Sequence, residues 1–231
     1  EFNPWTIYRM LIALQDVISG MLVNTSKDNI QTSPYFDNPL DNPRIKTLME
    51  LLDGLEEKTI IFCKYQSEIE DITNIINSKY GKDTAVPFTG DLTQKKRQNN
   101  LDLFQTTSQY LVANKQCGAY GLNLQFCSYI IFYSNDWNYG TRSQAEDRVH
   151  RIGQTENVHI VDICAADTLD ERILKCLDKK ENLVDSIREE IEKNKDKEDK
   201  LYSWITKKDW RKRKYSLKIK NKDKEDLYEN L

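Results

Sequence analysis

Two arginines three residues apart carry the clearest chemical signal in this sequence. Arg148 and Arg151 lie in the segment QAEDRVHRIGQ, and their spacing predicts that both project from one face of a helix. A guanidinium group stays charged and offers a planar set of donors that matches phosphate oxygens. Such a pair could stabilise the negative charge of a phosphoryl group in transfer. The alternative is a pair of surface arginines in ion pairs with Glu146 or Asp147.

The other parts of a phosphoryl-transfer site do not occur in the sequence. No segment matches the G-x-x-x-x-G-K-[ST] phosphate loop, because Gly81-Lys82 is followed by Asp83 and lacks the upstream glycine. Asp170-Glu171 comes at the start of a predicted helix rather than after a buried strand, and is interpreted as a helix cap. The chain can therefore supply arginines to an ATP site but cannot build that site alone.

The number and spacing of the cysteines do not indicate a disulfide framework or a metal site. Their number is odd and none lies at C-x-x-C spacing, which argues against a disulfide framework or a zinc site and predicts no bound metal. Reduced thiols indicate an intracellular protein. The five are Cys63, Cys117, Cys127, Cys164 and Cys176.

Short apolar runs that alternate with helical patterns must position the two arginines. Strands are predicted at 59–63, 84–88, 110–113, 129–133 and 158–163, and the segment 143–152 that holds the arginines is predicted as a helix. This alternation predicts an α/β domain with a mainly parallel sheet. Ligands gather beyond the carboxyl ends of such strands, so the candidate loops follow Cys63, Phe88, Ala113 and Tyr133.

Cap signals and the flanks complete the predicted organisation. Asn42-Pro43 predicts a helix start, and Ser67-x-x-Glu70 and Thr168-x-x-Glu171 predict capping boxes. Residues 5–23 are predicted as an amphipathic helix, followed by a polar, proline-containing connector. Beyond residue 179 the period is helical and we find no strand candidate.

Charge is distributed unevenly along the 231 residues. The chain has a net charge of -3, yet residues 179–231 hold 17 basic and 13 acidic residues, a net of +4. Segment 201–220 mixes Trp204, Trp210 and Tyr215 with this basic charge. It could bind nucleic acid through phosphates and stacking, or brace a neighbouring domain with its aromatics. No apolar run reaches the roughly 18–20 residues of a membrane helix, so no membrane partner is expected.

Five segments in order resemble one protein family. QAEDRVHRIGQ resembles motif VI of the Swi/Snf-type ATPases, which are superfamily-two helicase-like DNA translocases. KTIIFCKYQSEIEDI is similar to motif IV, FTGDLTQKKRQ to the next block, NKQCGAYGLNL to motif V, and IIFYSNDWN to the segment before motif VI. The resemblance covers residues 43–175. It implies a RecA-like C-terminal helicase lobe at 43–178, with a helical N-terminal extension and connector at 1–42 and a charged helical tail at 179–231.

The resemblance assigns nucleotide roles to matching positions. Arg148 and Arg151 match arginine fingers that reach the γ-phosphate of ATP held by the other lobe. Gln144 matches a polar residue on the nucleotide side, although it could instead close a capping box with Thr141. Gly118 and Gly121 match the glycines of motif V, where the backbone passes close to nucleotide or DNA phosphate.

The resemblance also implies contacts with duplex DNA. Trp137 matches a tryptophan placed against the minor groove, or could cap the core. Lys64 could meet a backbone phosphate or remain a solvated side chain. Lys115 and Gln116 match DNA-contacting positions of motif V, but this motif departs from the family pattern at its start. The basic charge moves to Lys115, so the phosphate contact is either re-routed to Lys115 or weakened. Two further DNA contacts are predicted from the block after motif IV, at Thr89 and Gly90.

We therefore expect the C-terminal lobe of a DNA-dependent ATPase, taken from a longer chain. ATP with Mg²⁺ would be bound mainly by an absent N-terminal lobe, and the isolated lobe would be monomeric and without ATPase activity. Its partners would be double-stranded DNA and that N-terminal lobe. The alternative is a non-catalytic DNA-binding or regulatory module that kept the fold.

Overall fold

A six-stranded sheet organises the chain. The structure is a computed structural model that describes residues 4–25, 30–114, 124–149, 157–180, 189 and 215–221, with the backbone alone at 4–8, 24, 25, 30 and 215–221. Within these ranges the elements in chain order are α1 (Pro4–Ile18), β1 (Met21–Thr25), β2 (Ile30–Pro34), a 3-10 turn (Pro39–Asp41), α2 (Pro43–Leu52), β3 (Thr59–Cys63), α3 (Gln66–Tyr80), β4 (Ala85–Phe88), α4 (Gln94–Thr106), β5 (Tyr110–Asn114), β6 (Tyr129–Phe132), α5 (Tyr139–Glu146), β7 (His159–Ala165), α6 (Leu169–Asp178) and β8 (Tyr215–Asn221).

The strand order confirms the predicted mainly parallel sheet. The sheet runs β4-β5-β3-β6-β7-β8, and the first five strands are parallel. The central strand β3 is buried along its whole length, as its apolar sequence TIIFC requires. The carboxyl ends of β3, β4, β5 and β6 therefore meet at one edge, where the candidate loops begin.

Helices pack on both faces because side chains alternate along each strand. Ile61 and its same-face neighbours pack with residues of α2 and α3, including Leu48 and Ile72. Ile60 faces the other way, into a cluster that includes Phe104 of α4. A third cluster joins α1 to α6 through residues such as Leu11 and Ile173.

The helix caps agree with the sequence at some positions and correct it at others. Asn42 caps α2 as predicted, its side chain accepting a hydrogen bond from the Arg44 amide at 3.0 Å. The capping box predicted at Ser67-x-x-Glu70 is wrong, since α3 begins at Gln66. The Tyr65 amide donates to the carboxylate of Glu68 at 3.1 Å. Glu68 also accepts a hydrogen bond from the Ser134 hydroxyl, which follows β6. The spacing of residues in the sequence does not reveal this long-range contact.

The start of α6 follows its prediction only in part. The Thr168 hydroxyl accepts from the Asp170 amide at 3.2 Å, as expected of a cap. The Glu171 carboxylate, however, accepts from the Asp167 amide at 3.1 Å rather than from Thr168, the partner that the predicted capping box requires.

The helix predicted at 143–152 both starts and ends earlier than predicted. It spans Tyr139–Glu146, so the prediction that Arg148 projects from a helix face is wrong: Arg148 lies in the turn that follows the helix. Asn138 is its cap and accepts from the Thr141 amide at 3.3 Å. A capping box formed by Thr141 and Gln144 is therefore excluded, because both lie inside the helix.

Three strands lie where none was predicted. The first helix ends at Ile18 instead of residue 23, and β1, which begins within the predicted helix, pairs with β2 in the predicted connector as an antiparallel hairpin. Beyond residue 179, β8 pairs antiparallel with β7 along its whole length. The pattern YSLKIKN alternates apolar and polar residues, a strand signal that the surrounding charge concealed. Pairing with β8 removes the exposed edge that β7 would otherwise present.

Gly20 makes the turn from α1 into the hairpin, and its replacement should destabilise the chain. Its φ is +89°, and an added Cβ would lie 2.6 Å from the Asn42 amide nitrogen. We expect Gly20→Ala to lower the free energy of unfolding by about 1–3 kcal/mol. Gly54→Ala is the matched control, because the nearest atom to its Cβ would lie 3.9 Å away. Equal urea midpoints for the two variants would contradict this account.

Candidate functional site

Arg148 lies in the turn that follows α5, and its backbone is held in place. The Leu124 amide donates to the Arg148 carbonyl at 3.4 Å, and Val149 is fully buried in the core. The side chain is half-buried, and its Nε atom is shielded from solvent without a hydrogen-bond partner among the described residues. Leu124 closes the motif V segment, so the fold brings the end of motif V against a motif VI arginine.

Glu146, the acid predicted as an alternative partner for this arginine, pairs with Arg142. The Arg142 Nε donates to the Glu146 carboxylate at 2.7 Å, one helical turn away. Within the described residues, Arg148 itself forms no ion pair. The surface ion pair proposed as an alternative for Arg148 with Glu146 is therefore not the arrangement of the folded chain.

A buried network around Arg142 was missed by the sequence analysis. The guanidinium donates from Nη1 and Nη2 to the two carboxylate oxygens of Asp162, at 2.5 and 3.0 Å, and from Nη1 to the Asn135 amide oxygen at 2.9 Å. Its carbon lies 3.4 Å from the centre of the Phe132 ring. Burial alone lowers the pKa of Arg142, but Asp162 and Glu146 more than offset this and raise the pKa above its usual value.

This network fixes α5 on the sheet. Asp162 lies within β7, beside Phe132 at the end of β6. The Asn135 side chain donates to the same carboxylate at 2.6 Å, so it joins the loop after β6 to the network. The available sequence signal was Asp162 itself, a charge in an otherwise apolar strand that must find a partner.

A second buried arginine ties α2 to α6. Arg44 donates to Asp170, and the Asp170 carboxylate also accepts from the Ala165 amide at 3.1 Å. Asp170 therefore serves as the buried partner of Arg44 in addition to its place in the first turn, whereas the sequence suggested only a cap.

Glu68 organises the loop after β3. Its Oε2 atom accepts hydrogen bonds from the Lys64 amide, the Tyr65 amide and the Ser134 hydroxyl, at 3.2, 3.1 and 2.5 Å. The Lys64 amide also lies 2.7 Å from the Ser134 hydroxyl. Since Ser134 follows β6, these bonds hold the loops of two neighbouring strands together.

Lys64 and Trp137, both predicted DNA contacts, lie against each other. The Lys64 ammonium is 4.5 Å from the centre of the Trp137 ring and 4.9 Å from that of Tyr65. It donates to the side-chain oxygen of Gln15, whose Nε2 atom donates to the Asn135 carbonyl at 3.0 Å. Lys64 is thus half-buried rather than fully solvated, and the first helix reaches the edge where the candidate loops begin.

The side chains of Lys64 and Trp137 are both only partly buried. Burial lowers the pKa of Lys64, and the negative charges of Asp136 and Asp16 oppose this shift. Trp137 is half-buried and packs against the cluster that joins α1 and α6. Part of its surface therefore serves the core, and the ring also contacts the Lys64 ammonium.

Thr89 and Gly90 follow β4 at the same edge of the sheet. Thr89 is buried, and its hydroxyl has no partner among the described residues. The Gly90 carbonyl accepts a hydrogen bond from the Arg97 side chain at 2.9 Å, which joins the loop after β4 to α4. A Cβ on Gly90 would have no atom within 4 Å, so close packing does not explain that glycine.

The remaining predicted site residues are distributed differently. Gln144 is exposed on α5. The others lie outside the described residues: Arg151, Lys115, Gln116, Gly118 and Gly121. In the described ranges no three histidine, cysteine or acidic side chains converge as metal ligands would. No helix in those ranges is long and apolar enough to cross a membrane.

Comparisons with known proteins agree with this geometry. Residues 43–153 match the helicase conserved C-terminal domain. The chain is 32% identical to the uncharacterized ATP-dependent helicase YqhH of Bacillus subtilis, over 65% of the chain and 27% of that protein. It is 28% identical to the DNA repair protein RAD5 of Eremothecium gossypii, over 84% of the chain and 18% of that protein.

Solved structures show the same fold. The C-terminal part of the Fun30 ATPase domain superposes with a TM-score of 0.53 at 25% identity, over 59% of this chain and 45% of that one. The Sulfolobus solfataricus SWI2/SNF2 ATPase C-terminal domain superposes with a TM-score of 0.56 at 19% identity, over 77% and 70%. The predicted RecA-like architecture is confirmed.

Together the domain match and these relatives support a C-terminal helicase lobe of the Swi2/Snf2 type. The chain spans only 9–27% of the length of the curated relatives it matches.

Proposed function

We propose that this lobe supplies Arg148 and Arg151 to an ATP site shared with an N-terminal ATPase lobe, and that it contacts duplex DNA inside the cell. The observation that carries the proposal is Arg148, whose backbone is fixed while its shielded Nε lacks an acceptor among the described residues. A buried donor without a partner is costly, and an arriving phosphate oxygen would remove that cost.

The residues of the lobe fit a supporting role in phosphoryl transfer. ATP with Mg²⁺, held mainly by the other lobe, would supply the phosphoryl group. Arg148 and Arg151 would donate to its oxygens as negative charge spreads over them. The network of Arg142 with Asp162 would hold α5, and with it Arg148, at a constant position on the sheet. Cycles of closure between the lobes would move the protein along DNA.

The experiment that tests this proposal is DNA-stimulated ATP turnover in a protein that contains both lobes. Alanine at Arg148 or at Arg151 should abolish most of the turnover without changing DNA affinity. Unchanged turnover in both variants would favour the alternative, a DNA-binding or regulatory module without catalysis.

DNA binding has its own expected signature. Lys64→Ala should lower the slope of log affinity for duplex DNA against log salt concentration by about one, because one phosphate contact is lost. Lys46→Ala is the matched control, since it removes the same charge from α2, where Lys46 lies 3.9 Å from Asp41. Fluorescence anisotropy over a salt series measures both slopes. An identical slope for the two variants and the unchanged chain would remove Lys64 from the DNA interface.

A further inference from the structure

The loop that joins β6 to α5 is buried at Ser134 and Asn135, which are 4% and 6% exposed. Ser134 joins this loop to the loop after β3, through its hydrogen bonds with the Lys64 amide and the Glu68 carboxylate. Asn135 contacts three further elements, which are β7, α5 and α1. Because Arg148 follows α5 by two residues, the direction in which α5 leaves this loop helps to fix the position of Arg148.

The Asn135 side chain uses both ends of its amide. Its Nδ2 atom donates to Asp162 of β7 at 2.6 Å, and its Oδ1 atom accepts from the Arg142 guanidinium of α5 at 2.9 Å. The contact with Arg142 spans seven residues of the chain and closes the loop onto the helix that follows it. A buried amide whose donor and acceptor are both bonded has few alternative orientations, so Asn135 fixes the loop relative to α5.

The first helix supports the same loop from a distant part of the chain. Gln15 of α1 is 4% exposed, and its Nε2 atom donates to the Asn135 carbonyl at 3.0 Å across 120 residues. Its side-chain oxygen accepts from Lys64, so Gln15 also joins the loop after β3 to the loop after β6. Helix α1 is itself anchored on α6 by buried contacts such as Leu11 with Ile173. The N-terminal extension therefore holds Asn135 from a fixed position.

We propose that Asn135 is a positioning residue for Arg148, and that Gln15 supports it from the N-terminal extension. Asn135 acts through Arg142 and α5 rather than by contact with a phosphate. Fixing α5 limits the displacement of Arg148, and a misplacement of about 1 Å near the reacting group can cost about 10²-fold in rate. This role rests on the proposed function, because it affects turnover only if Arg148 acts on the phosphoryl group.

Steady-state ATP turnover at saturating duplex DNA, in a protein that contains both lobes, tests the proposal. We expect Asn135→Ala to lower kcat by about tenfold and to change the KM for ATP by less than about twofold. Gln15→Met keeps the length of the side chain but removes both amide contacts, and should lower kcat by about threefold. The loss is expected in kcat because binding of ATP would be supplied mainly by the other lobe.

A double-mutant cycle with Arg148 separates positioning from a general loss of stability. In the Arg148→Ala background, Asn135→Ala should lower kcat by less than about twofold, because no guanidinium remains to be positioned. Asn77→Ala is the matched control, since Asn77 bonds the Ala85 amide and carbonyl at 2.8 and 2.9 Å and joins α3 to the first residue of β4. That contact lies at the edge of the sheet opposite the candidate loops, so Asn77→Ala should change kcat by less than about twofold in both backgrounds.

The same measurements distinguish a failure of this role from a failure of the proposed function. Unchanged turnover in Arg148→Ala would contradict the proposed function, and the role of Asn135 with it. If Arg148→Ala does lower kcat, two results would overturn the positioning role alone. One is that Asn135→Ala and Gln15→Met both match Asn77→Ala, and the other is a loss from Asn135→Ala that is equally large in both backgrounds. If Asn135→Ala fails to fold, Gln15→Met enters the same cycle, with its loss of about threefold expected only when Arg148 is present.

Discussion

Replacing Arg148 with alanine in a protein that contains both ATPase lobes should lower DNA-stimulated ATP turnover by about 10³-fold. In the proposed role the guanidinium would stabilise charge that develops during phosphoryl transfer, so the loss should appear in kcat more than in the affinity for ATP. Arg148 is suited to this role because its backbone is held by Leu124 while its Nε is left without an acceptor among the described residues.

Two control replacements, one conservative at Arg148 and one at a distant lysine, separate the proposed role of Arg148 from a general effect of lost charge. Arg148→Lys keeps the charge but loses the planar set of donors, so an intermediate kcat is expected. Lys95→Ala, which removes a charge from the exposed surface of α4, should leave turnover unchanged. The 231-residue chain alone should hydrolyse no ATP. Equal kcat values for Arg148→Ala and Lys95→Ala, or robust hydrolysis by the chain alone, would contradict the proposed arrangement.

Replacing Arg142 with methionine should lower the free energy of unfolding by about 3–5 kcal/mol. The side chains of Arg142 and Asp162 are only 7% and 5% exposed. Removing the guanidinium leaves the Asp162 carboxylate buried with only the Asn135 amide donor from this network. Urea denaturation followed by far-ultraviolet circular dichroism measures the change.

A second replacement and an exposed ion pair serve as controls. Asp162→Asn in the Arg142→Met background should recover part of the loss, because it removes the buried charge that has lost its guanidinium partner. Lys79→Met breaks an ion pair with Asp53 in which the two side chains are 43% and 51% exposed, and should cost far less than Arg142→Met. Equal denaturation midpoints for Arg142→Met and Lys79→Met would show that the Arg142 network adds nothing to stability.

The sheet was predictable because its signal is local. Each apolar run, such as residues 59–63, is short, lies between turn residues and reports on burial without reference to the rest of the chain. The alternation of such runs with helical patterns then leaves few topologies other than a parallel sheet. The motif segments were equally readable, since each is a continuous string.

The segments before and after the parallel sheet were less predictable, because other local features of the sequence concealed their strand patterns. A helical period extended past Gly20, yet the positive φ of that glycine ends the helix and starts the hairpin. The β8 segment lies in a strongly basic tail, and its two-residue alternation was outweighed by charge. In both cases a pairing partner elsewhere in the chain, rather than local propensity, decides the structure.

The sequence by itself indicated the helicase family resemblance and the mainly parallel sheet. Tertiary structure alone decided which polar groups meet: Arg142 with Asp162 across 20 residues, Lys64 with Gln15 across 49, and Arg44 with Asp170 across 126. The reason is physical. Burial makes an unpaired charge costly, so each buried charge requires a partner, but only the packing of distant elements decides which partner it meets.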